Sequence, residues 1–353
     1  MKLNEFDYPL DESLIAQEPM EERDKCKLLL VNREDQSITD KHFFELVDIL
    51  GPNDVLVMNQ SKVIPARLLG NKTTGGRVEV LLVKQLSVDS WEIITKPGLK
   101  EGAKIKFGYS LSGLVSKVGE EGVCVMEFDK SGAELMLSFE SVGKMPLPPY
   151  IKSDKEESEL REVYQTVFAK EDGSVAAPTA GFHFTADLIE KLLKKGVQIE
   201  YVTLHVSLGT FRPVKVEDIA KHQMHAEWFS LSKDTAERLN TAKSQGKRII
   251  AVGTTTSRVL ESSANDFEMV SAAQGETDIY IYPPYKFKFV DGLITNFHLP
   301  KTTLLLLVSA LISAPNTNHV FDNFHDSLIG KAYRHATEQK YQFFSFGDAM
   351  LIL

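Results

Sequence analysis

The sequence predicts an α/β (α+β) main domain with a small all-β barrel inserted into it. Helical and strand-like runs alternate at both ends of the chain. Between about Lys62 and Lys144 the texture is instead one of short strands, punctuated closely by Gly, Asp and Ser turns. The Pro-rich stretch M-P-L-P-P-Y-I-K at 145–152 then reads as a semi-rigid return linker. The expected division is residues 1–61 plus 151–353 as one discontinuous α/β domain, with 62–150 as the inserted barrel.

In chain order, K-L-L-L-V-N-R (27–33) and D-V-L-V-M-N (54–59) predict strands. F-F-E-L-V-D-I-L (43–50), closed by Gly51-Pro52, predicts a helix between them. The barrel strands are V-I-P-A-R-L-L-G, R-V-E-V-L-L-V, S-W-E-I-I-T-K, A-K-I-K-F-G, L-S-G-L-V-S-K-V and G-V-C-V-M-E-F, with a short helix near 131–139. The charged run S-D-K-E-E-S-E-L-R-E-V-Y after the linker reads as a solvated helix face or loop. Thr185 before A-D-L-I-E-K-L-L-K-K-G predicts an N-capped amphipathic helix ending at Gly196. A strand at 197–206, a helix near 233–245 and a strand at 248–255 follow. Next come the strand D-I-Y-I-Y (278–282), the segment L-I-T-N-F-H (293–298), two helices and a final hydrophobic strand.

The bulk numbers narrow the function. The chain has 353 residues, 43% hydrophobic, enough for a sizeable core. A net charge of -9 argues against broad nonspecific nucleic-acid binding, but leaves room for a local basic patch that docks one small folded RNA. Two unrelated cysteines, Cys26 and Cys124, fit a reducing compartment and give no disulfide framework. The segment M-K-L-N-E-F-D-Y lacks an apolar signal region, and the apolar run 303–314 is too short to span a bilayer. A cytoplasmic monomer without membrane association is expected.

Familiar motifs fail. G-N-K-T-T-G-G-R at 70–77 lacks the phosphate-loop lysine and lies among strands; no G-x-G-x-x-G or G-x-S-x-G occurs. His225-Ala226-Glu227 matches the H-x-E of a zinc deaminase, without its P-C-x-x-C. His183, His205, His222, His225 and His298 are dispersed, so no metal is expected. What remains is a set of loops rich in small residues and hydroxyls, each carrying a titratable side chain at a strand end. G-S-V-A-A-P-T-A-G-F-H-F-T (173–185) leads from small residues to His183 at the start of a helix. T-L-H-V-S-L-G-T-F-R-P-V (203–214) carries His205 and Arg212, A-V-G-T-T-T-S-R (251–258) carries Arg258, and T-N-F-H-L-P-K-T-T-L (295–304) carries His298 and Lys301. Each alone reads as a packing or capping loop. Together, at the carboxyl ends of strands, they predict one polar cleft able to hold a nucleoside and a carboxylate.

These loops carry a resemblance. The sequence closely resembles the S-adenosylmethionine:tRNA ribosyltransferase-isomerase family of queuosine biosynthesis, from F-D-Y-P-L-D-E-S-L-I-A-Q-E-P to F-G-D-A-M-L-I. A-A-P-T-A-G-F-H-F-T, L-H-V-S-L-G-T-F-R-P-V, V-G-T-T-T-S-R-V-L-E-S, V-D-G-L-I-T-N-F-H-L-P-K-T-T, N-Q-S-K-V-I-P-A-R-L-L-G and M-P-L-P-P-Y-I are the matching motifs. Lys27, Pro284 and Thr302 depart from the family's usual residues and touch only local loop geometry. The resemblance implies an α/β domain with an inserted β-barrel. It also implies that the ribosyl group of S-adenosylmethionine is transferred and isomerised onto a 7-aminomethyl-7-deazaguanine base at the tRNA wobble position. The product is epoxyqueuosine, adenine and methionine leave, and no cofactor or metal is needed beyond S-adenosylmethionine.

That reaction removes a proton next to a sulfonium, expels adenine and needs a neutral attacking amine, so it asks for a base and an acid near neutrality. His183, then His205 and His298, are the candidates, with Glu227 as an acceptor for the sugar or an amino group. Thr179, Gly181, Thr254, Thr255, Thr256, Arg258, Lys301 and Thr302 are the candidate substrate-binding residues. Lys62, Arg67, Lys72, Arg77, Arg212 and Arg334 are candidates for RNA phosphates. Two rival readings remain: an S-adenosylmethionine-dependent RNA methyltransferase, which would want a glycine-rich loop after its first strand, and a noncatalytic RNA-binding module.

Overall fold

The computed structural model describes residues 1–353 apart from Tyr109, Glu120, Glu121, Pro149, 208–213 and Lys215. It opens with strands β1 (Lys27–Val31) and β2 (Ile38–His42), helix α1 (Leu46–Ile49) and strand β3 (Asp54–Asn59). The helix expected over 43–50 is a single 3-10 turn, Phe43–Glu45, running into the short α1. Strand β2 escaped the sequence reading because I-T-D-K-H is polar. It is the sheet's edge, hydrogen-bonded to β1 alone.

Strand β4 (Ser61–Val63) leaves this sheet, and Pro65 separates it from the barrel. The barrel holds β5 (Arg67–Lys72), β6 (Arg77–Gln85), β7 (Ser90–Lys96), β8 (Lys104–Phe107), β9 (Leu111–Val118) and β10 (Val123–Phe128). All pair antiparallel in the order β5-β6-β7-β10-β9-β8, and β5 closes the ring against β8. Inward residues alternate along each strand: Val78, Val80 and Leu82 on β6, Trp91 and Ile93 on β7. Helix α2 (Gly132–Val142) plugs one end, with Phe139 edge-on to Trp91 and Phe128. The two-residue β11 (Gly143–Lys144) returns to β5.

Helix α3 (Glu157–Val163) carries the charged run, its Arg161 paired with Glu140 and Glu157. Strand β12 (Glu171–Ser174) lies against β4 in a two-stranded ribbon. Then come α4 (Ala186–Lys194), β13 (Gln198–Leu204), β14 (Glu227–Leu231), α5 (Lys233–Ser244), β15 (Arg248–Val252), α6 (Thr254–Ser263), β16 (Ala273–Thr277), β17 (Gly292–Asn296), α7 (Thr303–Leu311), α8 (Leu328–Glu338) and β18 (Ala349–Ile352). The Thr185 hydroxyl caps α4 as expected, accepting from Leu188 N at 3.1 Å.

The main sheet runs β16-β14-β13-β3-β15-β17-β18-β1-β2. Its central four strands, β13, β3, β15 and β17, are parallel, so their carboxyl ends share one edge. They read as continuous apolar runs because helices cover both faces. Val55, Val57, Ile249 and Ala251 face α5, α6, α7 and α8, while Leu56, Met58, Ile250 and Val252 face α1 and α4. One expected strand is displaced: the edge strand is β16, not 278–282. Beyond Thr277 the Ile279 N–H bonds the Thr277 hydroxyl and its carbonyl accepts from Arg258, so the chain leaves the ladder. The I-Y-I-Y alternation instead buries Ile281 and packs Tyr280 on Tyr282. Among the described residues no helix is long and apolar enough to cross a membrane.

Candidate active site

Strands β3, β13, β15 and β17 end at Asn59, Leu204, Val252 and Asn296, and the loops that follow build one cleft. Its walls are Ala177–Ala180, Gly253–Thr255, Thr295–His298 and the Phe344-Ser345 turn, around about 510 Å3 counting the open mouth. Asn59 locks the floor. Its amide donates to Leu204 O at 2.9 Å and to Thr255 Oγ1 at 3.3 Å, and its oxygen accepts from Leu204 N and Ser61 N. Four bonds on one buried side chain tie β3, β13 and α6 together at the strand ends.

Helix α6 starts at the cleft with Gly253 as its N-cap, so no side chain caps it. Its free first-turn N–H groups and its dipole favour a bound anion there. Thr254 and Thr255 line the cleft, whereas Thr256 is fully buried and donates to Val252 O at 2.7 Å. Thr179 lies opposite and donates to Asn296 Oδ1 at 3.1 Å. Gly181 stands behind this wall; a Cβ there would meet Phe168 and Thr166 at 2.7 and 2.9 Å, so packing alone requires glycine.

The three candidate histidines occupy three different settings. His183 is 4% exposed and off the cleft surface, against Phe43. Both ring nitrogens are engaged: Nδ1 with Cys26 Sγ at 3.1 Å, Nε2 with the Asn296 amide at 3.1 Å. With Asn296 donating, the proton sits on Nδ1. Burial, reinforced by Arg23, pushes its pKa down to about 3. His298 lines the cleft; Nε2 meets Thr295 Oγ1 at 3.2 Å, and its backbone N–H donates to Tyr333 OH at 2.9 Å. Burial lowers its pKa to about 3 as well. His205 stands outside this cleft, in the opening between sheet and barrel. Its Nδ1 meets Ser61 Oγ at 2.7 Å, its ring stacks on Trp228, and desolvation, opposed by Asp172, lowers its pKa to about 4.

Glu227 and Arg258 pair with each other, 3% and 4% exposed. The Glu227 carboxylate also accepts from Ser207 N, and the guanidinium donates to the Thr277 and Ile279 carbonyls. The pair therefore welds α6 to β14 and β16. Lys301 is off the cleft: its ammonium reaches Asp7 at 2.6 Å and its backbone N–H bonds Phe6 O. Thr302 caps α7. Of the RNA candidates, Lys62 pairs with Asp172 and Arg67 with Glu79, while the Arg334 guanidinium donates to His325 O. Arg77 and Lys72 carry no ion pair among the described residues, and Arg212 lies outside them.

The sequence reading missed Asn59, Ser61, Asn296, Trp228 and the Phe344-Ser345 turn. N-Q-S at 59–61 and T-N-F-H at 295–298 do sit at strand ends, which is the one signal that could have raised Asn59 and Asn296. Phe344 gives no such signal; it lines the cleft with φ 75°, and Tyr150 from the Pro-rich linker packs edge-on to it at 4.1 Å.

A family model described as queuosine biosynthesis protein matches residues 3–352. The chain is 48% identical over 355 residues to proteins named S-adenosylmethionine:tRNA ribosyltransferase-isomerase from Thermotoga petrophila and Thermotoga maritima, with 100% of both chains covered in each case. The chain belongs to the queuosine biosynthesis protein family. A crystal structure described as S-adenosylmethionine tRNA ribosyltransferase from Thermotoga maritima is similar at a TM-score of 0.55 and 37% identity, covering 99% of this chain and 100% of that one. In this queuosine biosynthesis protein the motifs that suggested the resemblance are the site's own loops. A-A-P-T-A-G, V-G-T-T-T and T-N-F-H form the cleft walls, and L-H-V places His205 at the second opening and Val206 at both.

Proposed function

We propose that this protein transfers and isomerises the ribosyl group of S-adenosylmethionine onto the 7-aminomethyl-7-deazaguanine base at the tRNA wobble position. Epoxyqueuosine-bearing tRNA forms, and adenine and methionine leave. The observation that carries the reading is the cleft at the carboxyl ends of the parallel strands, built from the family motifs in a chain that matches its relatives end to end.

In this reading S-adenosylmethionine occupies the cleft. Its carboxylate meets the α6 N-terminus with Thr254 and Thr255, and the sugar and base lie between Thr179, Asn296 and His298. His298 and His205 are both neutral at physiological pH, and each can take a proton. His205 is the stronger candidate because among the described residues only its Nδ1 is engaged; when Nδ1–H is donated to Ser61, Nε2 is the acceptor. His183 acts one step removed, as a positioning residue that holds the Asn296 amide. Glu227, Arg258, Thr256, Gly181, Lys301 and Thr302 maintain the walls rather than touch substrate. No metal is required, and the protein works in the cytoplasm as a monomer on tRNA. The barrel, residues 62–150, is a separate inserted unit whose Lys72 and Arg77 meet RNA phosphates.

The test is incubation with S-adenosylmethionine and an anticodon stem-loop carrying the aminomethyl-deazaguanine base, followed by mass analysis of the RNA and assay of free adenine. A ribosyl-sized mass gain with matching adenine release is expected. A methyl-sized gain would make the protein a methyltransferase, and RNA binding without any mass change would make it a binding module.

A further inference from the structure

A second cleft opens where the barrel meets the main sheet. Residues 83–88 of β6 and its turn form one wall; Asp172, Gly173, His205 and Trp228 form the other, around about 1110 Å3 counting the mouth. It adjoins the first cleft, since Val206 lines both. Three ring side chains, Trp91, His205 and Trp228, are part of its lining. Both tryptophans of the chain are on it. Trp228 stacks on the His205 ring with centroids 4.8 Å apart and planes 15° apart. Trp91, on the barrel side, is 1% exposed, and its indole N–H has no hydrogen-bond partner among the described residues. A buried donor without an acceptor is costly unless something arrives to take the bond.

The charged groups among the described lining residues are mostly acceptors. Asp172, Glu227 and Glu276 line the cleft against one cation among the described residues, Lys84, which pairs with Glu276 at 2.7 Å. Lys62 and Arg258, which pair with Asp172 and Glu227, stand outside the lining. Carboxylate acceptors, an unused indole donor and aromatic faces suit a particular chemistry: a planar heterocycle that offers N–H groups on one edge and a carbonyl oxygen to accept, and carries a positive charge.

We propose that this second cleft seats the acceptor base of the RNA, a purine-like ring bearing an alkylamine, with the amine directed past Val206 toward the first cleft. The proposal rests on the ribosyl-transfer reading and adds to it where the second substrate lies. The two substrates enter from different openings, and their reacting ends meet at the shared wall. The Asp172 and Glu276 carboxylates hold the ring's N–H edge and the cationic amine, the Trp91 indole donates to the carbonyl oxygen, and the neutral His205 stands beside the amine, while Glu227 stays committed to Arg258.

Because both tryptophans lie on this cleft, their emission reports its occupancy directly. The protein is titrated, without S-adenosylmethionine, with an anticodon stem-loop carrying the aminomethyl-deazaguanine base and with the same stem-loop carrying guanine. Saturable quenching is expected with the first, and weaker or absent quenching with the second. Glu276 is on an exposed edge strand, so Glu276→Gln leaves the fold intact; it is expected to raise KM for the stem-loop about fivefold or more while KM for S-adenosylmethionine stays unchanged. Asp172→Asn is the second variant, with the same expected split. A wild-type enzyme that releases adenine, yet whose tryptophan emission ignores the bound stem-loop and whose two variants keep the RNA KM, overturns the placement while leaving the ribosyl-transfer reading standing. Absence of adenine release from the wild-type protein with this RNA overturns both.

Discussion

Lowering the pH from 7.5 to 5 should destabilise this protein through its buried histidines, His183 and His298 foremost, which stay unprotonated where they sit. Burial holds His183 and His298 neutral, with pKa values of about 3. Unfolding returns each imidazole to its ordinary value of about 6.5, so the unfolded chain binds the protons first. The stability they contribute is complete above pH 6.5 and is lost as pH falls from there toward 3. At pH 5 each accounts for a loss of about 2 kcal/mol, and the two together for about 4, a large part of the 5–15 kcal/mol typical of a folded protein. Urea unfolding followed by circular dichroism at pH 7.5, 6.5, 5.5 and 5 reads this directly. His183→Gln removes one titration while retaining hydrogen-bonding capacity, so its loss between pH 7.5 and 5 should be smaller than the wild type's by about 2 kcal/mol. Parallel pH profiles for the two proteins would refute the argument that His183 is buried and neutral.

Further outcomes follow from the same contacts. Gly173 has φ 141°, and a Cβ there would stand 2.6 Å from His205 Nε2; Gly173→Ala should displace the imidazole and lower kcat for adenine release about a hundredfold, with circular dichroism unchanged. Glu227→Ala leaves Arg258 buried and unpaired and should cost about 3–5 kcal/mol in a denaturant titration, with activity per folded molecule nearly preserved. Thr255→Val should raise KM for S-adenosylmethionine, while Thr256→Val, on a residue turned away from the cleft, should change stability but leave that KM as it was. Asn59→Ala strands the Leu204 N–H and carbonyl and should cost about 2–4 kcal/mol of stability, measured by thermal melting.

The architecture was largely legible because its signals are local. Continuous apolar runs such as V-L-V-M and I-I-A-V mark strands covered on both faces, and the closely turned stretch after Lys62 marks the barrel. Where the reading failed, tertiary context had overridden the pattern: I-T-D-K-H is a strand only because β1 offers an edge, and D-I-Y-I-Y alternates without a partner strand. The site was legible as a set of loops but not as a set of directions. A histidine flanked by Phe182 and Phe184 could face ligand or core, and the contact of His183 with Cys26, far away in sequence, puts it in the core. Thr254, Thr255 and Thr256 look alike in the sequence; helical rotation sends two to the cleft and one to the sheet. Asn59 becomes a hub only once β3 lies between β13 and β15, which no spacing within the chain announces.

The central claim is that S-adenosylmethionine binds at the carboxyl ends of the parallel strands. Leu304, half-buried at the start of α7, lines that cleft and makes none of its hydrogen bonds, so Leu304→Trp can fill the space without dismantling the walls. Calorimetric titration of wild type and variant with S-adenosylmethionine tests the claim directly. The account predicts that the variant, folded as judged by its urea midpoint, binds about tenfold or more weakly. Unchanged affinity in a folded Leu304→Trp protein would contradict it and move the S-adenosylmethionine site elsewhere.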